Sequence, residues 1–531
     1  MKNKKSEGSY YTPLYIAEYM MEQCKKVLYK KDKIEILEPS CGDGVFIKAF
    51  LNVGGLNSNN KATFCSVEKD KIELNKTKKY KKELSDRGIL SSFYNQDFLD
   101  FCLNRRRKFD LIIGNPPYIH KKYINPEQMK KVKEIFCEKN IKTSTIHNIW
   151  IAFVVGAINL LKNDGILCFV LPFEMLQVKY AEPITSLLYE EFEEIKIYSF
   201  NEAVFHGIDQ DVVIILCIKK SNKKLITHTL LHNENLLTLN IVSNNKKQLF
   251  KKWFWYTFNK EEMDMITELK SNFKSIKDFS FSGAGIVTGN NDFFILKPSE
   301  VEKYKLQNYT LPILKKSAFI KQTINFMPSD FENLVVDDVP CQLIDLNNVD
   351  DISRIPSVQH YIREGELLLI NKNYKCRIRD NWYQVPSIWN SEAFFFKRSH
   401  LYPKLILNSS SVYVTDTAYR IQMRNGYDVK SLIFCFYNSL TLIDSELVGR
   451  SYGGGVLEIT PNEFKEIKIP YFKIEEKYFD KLDQMLRMNL PIEEILEFTD
   501  EVILINKFDI NPEDVTKLKN IRNRIVSNRV L

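Results

Sequence analysis

Short apolar runs alternate with longer amphipathic stretches along the first 220 residues. The apolar runs are "KIEILEP" (33–39), "TFCSVEK" (63–69), "FDLIIGN" (109–115), "GILCFVLP" (165–172), "EEIKIYSF" (193–200) and "DVVIILCIKK" (211–220). Their length and richness in Ile, Val and Phe predict strands. Lys- and Glu-rich stretches at 70–86, 122–138 and 175–191 lie between several of them and predict helices. Strands separated by helices imply a doubly wound, mostly parallel α/β sheet. The last two strands are close in sequence, which allows one of them to run antiparallel. Ligands of such sheets bind at the carboxyl ends of the strands. The run "IWIAFVVGAINLL" (149–161) is too short to span a bilayer and reads as a buried helix.

The pattern changes near residue 222. "KKSNKKLITHTLLHNENLLTLNIVSNNKKQ" is polar and rich in Asn and Lys, and it reads as a boundary region. Two domains are expected, 1–225 and 226–531. The second mixes short strands, aromatic residues and Gly turns such as "FSGAGIVTGNNDFF" (281–294) and "GRSYGGGVLEITP" (449–461). From Glu475 onward, apolar residues recur at helical spacing, so 475–531 is expected to be a helical tail.

Composition narrows the class of protein. With 531 residues, 44% hydrophobic and 27% charged, the chain suits two or three globular domains in solution. The N-terminal "MKNKKSEGSYYTP" has no apolar h-region, so no secretion signal is expected. Ten cysteines are scattered without a C-x-x-C pair, which fits a reducing cytoplasm and neither a disulfide framework nor a zinc site. A net charge of +8 permits nucleic-acid binding without establishing it. The densest basic run, "NRRRKFD" (104–110), reads as a solvated loop ahead of a strand.

Candidate chemistry sits at strand ends. "ILEPSCGDGVF" (36–46) leaves the first strand through a small-residue turn whose glycines, Gly42 and Gly44, let the backbone approach a ligand. Taken alone, it is equally an ordinary strand-to-helix turn. Glu68 ends the second strand, where a carboxylate can hold a ribose diol. Asp97 and Phe98 follow a third candidate strand, where a carboxylate can accept from an adenine amino group and a ring can pack on the base. Each acid is individually an ordinary surface residue; their order is what carries the reading. The fourth element is "GNPPYI" (114–119), in which two prolines stop an apolar strand.

Together, "YYTP" (10–13), "LEPSCGDGVF" (37–46), "VEKD" (67–70), "NQDF" (95–98) and "GNPPYI" resemble the motif series of S-adenosylmethionine-dependent DNA amino-methyltransferases. The order resembles their gamma class, with the T-P element first and target recognition last. "NIWIAF" (148–153) and "GILCFVLP" resemble later motifs, and "GIVTGNNDFF", "DTAYRI" and "GRSYGGGVLEITP" resemble segments of the recognition domains. The resemblance implies a Rossmann-like sheet of the class I methyltransferase type, then a mixed α+β target-recognition domain. It implies that Tyr11, Thr12, Glu38, Ser40, Cys41 and Gly42 line the methionine moiety and ribose. Glu68 is then the ribose ligand, Asp97 and Phe98 the adenine contacts, and Asn115 and Pro117 neighbours of the cofactor. No metal is implied.

The tetrapeptide suits adenine N6 chemistry. The exocyclic nitrogen is a poor nucleophile because its lone pair is delocalised into the ring. The Asn115 side-chain oxygen and the Pro116 carbonyl can accept both amino hydrogens, and Pro116 and Pro117 fix the backbone beforehand. Tyr118 offers a ring to stack on a base flipped out of duplex DNA. The resemblance places a second aromatic wall in the loop 201–210, where Phe205 stands; a loop Phe tucked into the core is the alternative.

The expected function is therefore sequence-specific DNA adenine-N6 methylation. Cytosine-N4 methylation, methylation of an RNA or protein amino group, and a catalytically degenerate DNA-binding protein remain alternatives. Thr288, Gly289, Asn290, Arg450, Tyr452 and Gly453 are candidate DNA contacts, each equally readable as a turn residue. Only nine residues precede Tyr10 and the second half shows no P-D…E-x-K pattern, so any cognate restriction endonuclease is expected as a separate chain.

Overall fold

The computed structural model describes residues 11–56, 61–104, 107–201, 204, 211–246, 249–250, 252–452 and 455–530. Two compact units divide the chain, the first drawn mainly from residues 1–264 and the second mainly from 265–530.

The first unit runs α1 (Leu14–Leu28), β1 (Ile34–Glu38), α2 (Val45–Asn52), β2 (Ala62–Glu68), α3 (Lys71–Thr77), α4 (Lys81–Asp86), β3 (Leu90–Asn95), α5 (Phe98–Asn104) and β4 (Phe109–Gly114). It continues through α6 (Pro126–Cys137), α7 (Trp150–Leu160), β5 (Leu161–Pro172), α8 (Glu182–Glu191), β6 (Glu194–Phe200), β7 (Val212–Ile218), β8 (Leu225–Leu231) and β9 (Thr238–Asn245). All nine strands form one sheet in the order β3-β2-β1-β4-β5-β7-β6-β8-β9. Strands β1 to β5 pair in parallel, and β7 runs antiparallel between β5 and β6. Every residue of β4 and β7 is buried, which is why these strands read as unbroken apolar runs. Helix α7 is buried nearly throughout, as its composition predicts. No single helix among the described residues is long and apolar enough to cross a membrane.

Two expectations needed adjustment. The boundary expected at 225/226 falls before the last two strands: β8 pairs with β6 and β9 with β8, so the sheet extends through the segment read as a boundary. The helix expected over 175–191 begins only at Glu182, with Pro183 in its first turn.

The sheet order fixes where a crevice opens. The chain moves outward from β1 to β2 to β3, then returns to place β4 on the other side of β1. The carboxyl ends of β1 and β4 therefore flank a switch point, where the loops diverge and leave a crevice. At the opposite end, buried Asp110 accepts from Lys31 (2.7 Å), Lys162 (2.8 Å) and the Glu35 N–H (2.9 Å), tying β1, β4 and β5 together. Burial opposes ionisation of Asp110, but these donors outweigh it and hold the carboxyl below its usual range.

The second unit is mixed. A four-stranded sheet is built from Ser280–Ala284, Ala418–Met423, Ala393–Phe396 and Leu405–Leu407 in that order. A second sheet orders Ile295–Leu296, Gln342–Ile344, Thr310–Leu314 and Tyr413–Val414. The tail is helical over Glu476–Arg487, Ile492–Asp500 and Pro512–Val530, as its periodicity predicts.

Candidate active site

The turn after β1 is shaped by its glycines. Gly42 has φ +49° and Gly44 φ +84°, the left-handed region that glycine adopts without strain. Gly44 also caps α2, and a Cβ there would lie 3.0 Å from Thr77 Cγ2 and 3.1 Å from Tyr80 Cε2. Across the turn, the Thr77 hydroxyl donates to the Gly42 carbonyl at 2.6 Å. The turn is thus held against α3 by Thr77.

Glu68, at the end of β2, braces the same turn. Its carboxylate accepts from the Gly42 N–H (3.1 Å) and the Asp70 N–H (2.9 Å). Asp70 in turn caps α3 through the N–H groups of Ile72 and Glu73. Asp97 accepts from the Leu99 N–H at 2.9 Å at the start of α5, and the Gln128 amide approaches its other oxygen at 3.4 Å. Phe98 is buried against Phe153, with ring centroids 4.7 Å apart.

β4 ends at Gly114, where a Cβ would lie 3.4 Å from Pro39 Cδ, so the two strand ends pass in close contact. The next residue is tied to β1 as well: the Ser40 hydroxyl donates to the Asn115 carbonyl at 3.1 Å. Tyr118 is buried, and its hydroxyl donates to the Val170 carbonyl of β5 at 3.1 Å.

These ends enclose a cleft of about 270 Å³. Of the residues singled out in the sequence, Tyr11, Ser40, Gly42, Glu68, Asp97, Phe98, Asn115 and Pro117 line it. Thr12, Glu38, Cys41, Pro116 and Tyr118 are buried and do not line the cleft. Phe205 lies outside the described residues. The sequence reading missed Gln128, Glu73, Ile149 and Phe153, which also line the cleft. Gln128 belongs to the Asn125 capping box of α6, a signal that reports a helix start rather than a ligand.

Glu38 is the electrostatic anomaly of the site. It is fully buried, and neither carboxylate oxygen has a hydrogen-bond partner among the described residues. Burial, reinforced by the charges of Asp43 and Glu68, pushes its carboxyl well above the usual range. The Tyr11 hydroxyl is likewise pushed up, by burial and by Glu73 beside it.

Of the recognition candidates, Thr288 and Asn290 serve their own turn. Thr288 is buried, its hydroxyl donating to Asn291 (2.6 Å) and accepting from the Asn290 N–H. Asn290 caps the short helix that follows. Gly289 has φ +90°. Arg450 donates to Glu463 at 2.7 Å. Gly453 and the side chain of Tyr452 lie outside the described residues.

Comparison with known proteins agrees across both units. Residues 7–205 match the family described as Eco57I restriction-modification methylase, and residues 250–504 match the C-terminal domain of type II methyltransferase M.Eco57I. The chain is 25% identical over 493 residues to type II methyltransferase M.AccI of Acinetobacter calcoaceticus, spanning 88% of this chain and 86% of that protein. It is 30% identical over 220 residues to M.HincII of Haemophilus influenzae, spanning 41% of this chain and 38% of that protein. The type IIL restriction-modification enzyme MmeI, solved in complex with DNA, shares the fold, with a TM-score of 0.60 at 13% identity over 99% of this chain and 76% of its own. The chain belongs to the Eco57I family of restriction-modification methylases and is a type II DNA methyltransferase.

Proposed function

We propose that the chain methylates N6 of a flipped-out adenine within a short target sequence of duplex DNA, using S-adenosylmethionine. The observation that carries this reading is the shared cleft: Asn115 and Pro117 open into the space that Glu68, Asp97 and Phe98 line. An amino-nitrogen acceptor site and a nucleoside site thus meet in one crevice.

The residues present fit the cofactor. A buried carboxylate without a donor is costly unless a cationic group arrives beside it. Glu38 is such a carboxylate, and it adjoins Pro39 and Ser40 of the cleft wall. S-adenosylmethionine, when bound, supplies an electrophilic methyl on a sulfonium and carries an ammonium as well. Tyr11, Ser40 and Gly42, which line the cleft, would hold its methionine end, with Thr12, Glu38 and Cys41 buried behind them. Glu68 would hold the ribose diol, and Asp97 and Phe98 the adenine.

Catalysis in this reading is positioning. The Asn115 side-chain oxygen and the Pro116 carbonyl accept the two amino hydrogens of the target base, so its lone pair turns away from the ring. Pro116 and Pro117 restrict that backbone in advance, and the Ser40 hydrogen bond to the Asn115 carbonyl restricts it further. No strong general base is required, because the methylated nitrogen becomes acidic and sheds its proton readily. Tyr118 offers the stacking face, and Phe205 stands as the second wall.

Base-resolved methylation sequencing of DNA from a methylation-free bacterial host tests this. Expression of the chain should yield N6-methyladenine at one motif, and Asn115→Ala should abolish it while cofactor binding persists. N4-methylcytosine in the same assay would replace adenine as the target. Full activity of Asn115→Ala would overturn the mechanism.

A further inference from the structure

The second unit carries a surface that neither the cleft nor the recognition motifs account for. The helix Pro356–Leu367 ends in three consecutive leucines, all turned to solvent: Leu367 is 83% exposed, Leu368 69% and Leu369 61%. Tyr374 (63%) and Ile378 (59%), a few residues on, are exposed as well. Isolated exposed apolar residues are commonplace, but five within twelve positions of one segment are a concentration that calls for a partner.

This ridge is anchored and does not dangle. Ile370 and Cys376 are buried in the apolar core beneath it. Gly365 sits so close to Phe293 and Trp382 that a Cβ would clash with both, at 2.6 and 2.5 Å. The Arg379 guanidinium donates to the carbonyls of Val287 (3.0 Å) and Thr288 (2.7 Å). Leu369 itself has φ +58°, a left-handed conformation that an aliphatic residue adopts only when its surroundings impose it. The fold therefore tolerates strain to hold leucines outward.

Charge decides what kind of partner fits. From Leu367 to Arg379 the chain reads "LLLINKNYKCRIR", with four basic residues, of which Arg379 is engaged with backbone carbonyls, and exposed Glu366 and Asp380 flank the stretch on either side. Lys372, Lys375 and Arg377 are exposed around the leucines, and both Lys375 and Arg377 lie over the Tyr374 ring, at 5.7 and 5.6 Å. Cations beside a protruding aliphatic edge match duplex DNA, in which phosphates flank grooves and stacked base steps. We propose that the Leu367–Arg379 ridge is a DNA wedge: the leucines enter a groove against the base steps while Lys372, Lys375 and Arg377 take the flanking phosphates. This rests on DNA being the substrate. The Thr288-Gly289-Asn290 turn then acts as the ridge's foundation, since a Cβ on Gly289 would meet Cys376 Sγ at 3.0 Å and Lys375 Cβ at 3.1 Å.

The test is transfer of radiolabelled methyl from S-adenosylmethionine into unmethylated genomic DNA by the full chain. Two variants are compared with the parent, Leu368→Ser/Leu369→Ser and Lys372→Gln/Lys375→Gln/Arg377→Gln. The leucine variant should raise the KM for DNA at least tenfold with cofactor affinity and thermal midpoint unchanged. The basic variant should raise it too and flatten the salt dependence by about three in the log–log slope, one for each lost phosphate contact. Parental kcat/KM in the leucine variant would overturn the wedge and leave the methyltransferase reading intact. The wedge is equally overturned if the parent is a dimer and the leucine variant a monomer with parental DNA kinetics. A parent that labels no DNA would overturn both.

Discussion

The Ser40 hydroxyl donates a hydrogen bond to the backbone carbonyl of Asn115 at 3.1 Å. Ser40 lies in the turn after β1 and Asn115 in the turn after β4, so one side chain couples the glycine turn to the Asn-Pro-Pro-Tyr segment. The bonded carbonyl belongs to the Asn115–Pro116 peptide. Its plane sets the direction of the Pro116 backbone that is proposed to accept from the target base. Order in one turn is thereby passed to the other.

Removing that hydroxyl should therefore harm catalysis more than binding. A neutral hydrogen bond of this kind contributes about 0.5–1.5 kcal/mol, so Ser40→Ala should slow methyl transfer by about 3- to 10-fold. Cofactor affinity, measured by calorimetry, should change less than kcat. A large loss of affinity with unchanged kcat would make Ser40 a cofactor ligand alone. Ser40→Thr, which keeps the hydroxyl, should restore part of the rate.

Glu38 predicts a pH effect on the unliganded protein. Its native carboxyl titrates well above the ordinary value of 4.5 because of burial and the neighbouring Asp43 and Glu68 charges. A raised carboxyl pKa means the native state holds a proton that the unfolded state has released. The stabilisation is full below 4.5 and is lost as pH rises from there towards the native pKa. Glu38→Gln stays neutral throughout, so its thermal midpoint should gain on the parent as pH rises from 5 to 9. S-adenosylmethionine should stabilise the parent and fail to stabilise the variant. A constant difference between the two proteins across that range would refute the buried-acid account.

The two glycines of the first turn should not be equivalent. An added Cβ on Gly42 meets only Tyr11, at 3.5 Å, which is ordinary contact. On Gly44 it meets the Thr77 backbone at 3.2 Å as well as two side chains, and the φ of +84° is the more demanding. Gly44→Ala should cost about 1–2 kcal/mol or more from backbone strain and crowding. Gly42→Ala should lose cofactor affinity with a smaller change in thermal midpoint. Calorimetry on both variants, for unfolding and for cofactor binding, separates the two effects.

Much of the first unit is legible in the sequence because its signals are local. β4 and β7 are apolar throughout, so their strand character does not depend on context. Glu68, Asp97 and Asn115 stand at strand ends, and the sheet brings strand ends together. β9 is the edge strand, with Leu239 and Ile241 exposed, and β8 beside it buries His228 and Thr229 along with Ile226 and Leu231, so neither strand shows an unbroken apolar run in the sequence. Gln128 reaches Asp97 from a helix cap thirty-one residues later, a meeting that no local pattern encodes. In the second unit, the turn at Thr288 is visible, but what it supports is not. Its partners Cys376 and Arg379 lie some ninety residues away, beyond the reach of any local pattern.

Tyr118 carries the last prediction. Its hydroxyl is engaged with the Val170 carbonyl of β5, and the side chain is 8% exposed. The hydroxyl thus has a structural partner in β5, and the proposed stacking role belongs to the ring. Tyr118→Phe deletes the hydrogen bond to the Val170 carbonyl, which should cost about 1 kcal/mol of stability, while the ring remains. Tyr118→Ala removes the ring, and with it stacking of about 1–3 kcal/mol per base. With a fluorescent adenine analogue at the target position, the parent and the Phe variant should give the bright signal of an unstacked base, and the Ala variant a weaker one. The rate of methyl transfer should follow the same order, with Phe within about tenfold of the parent and Ala well below it. If Phe and Ala lose activity equally, the hydroxyl rather than the ring is the essential part, and the stacking role fails.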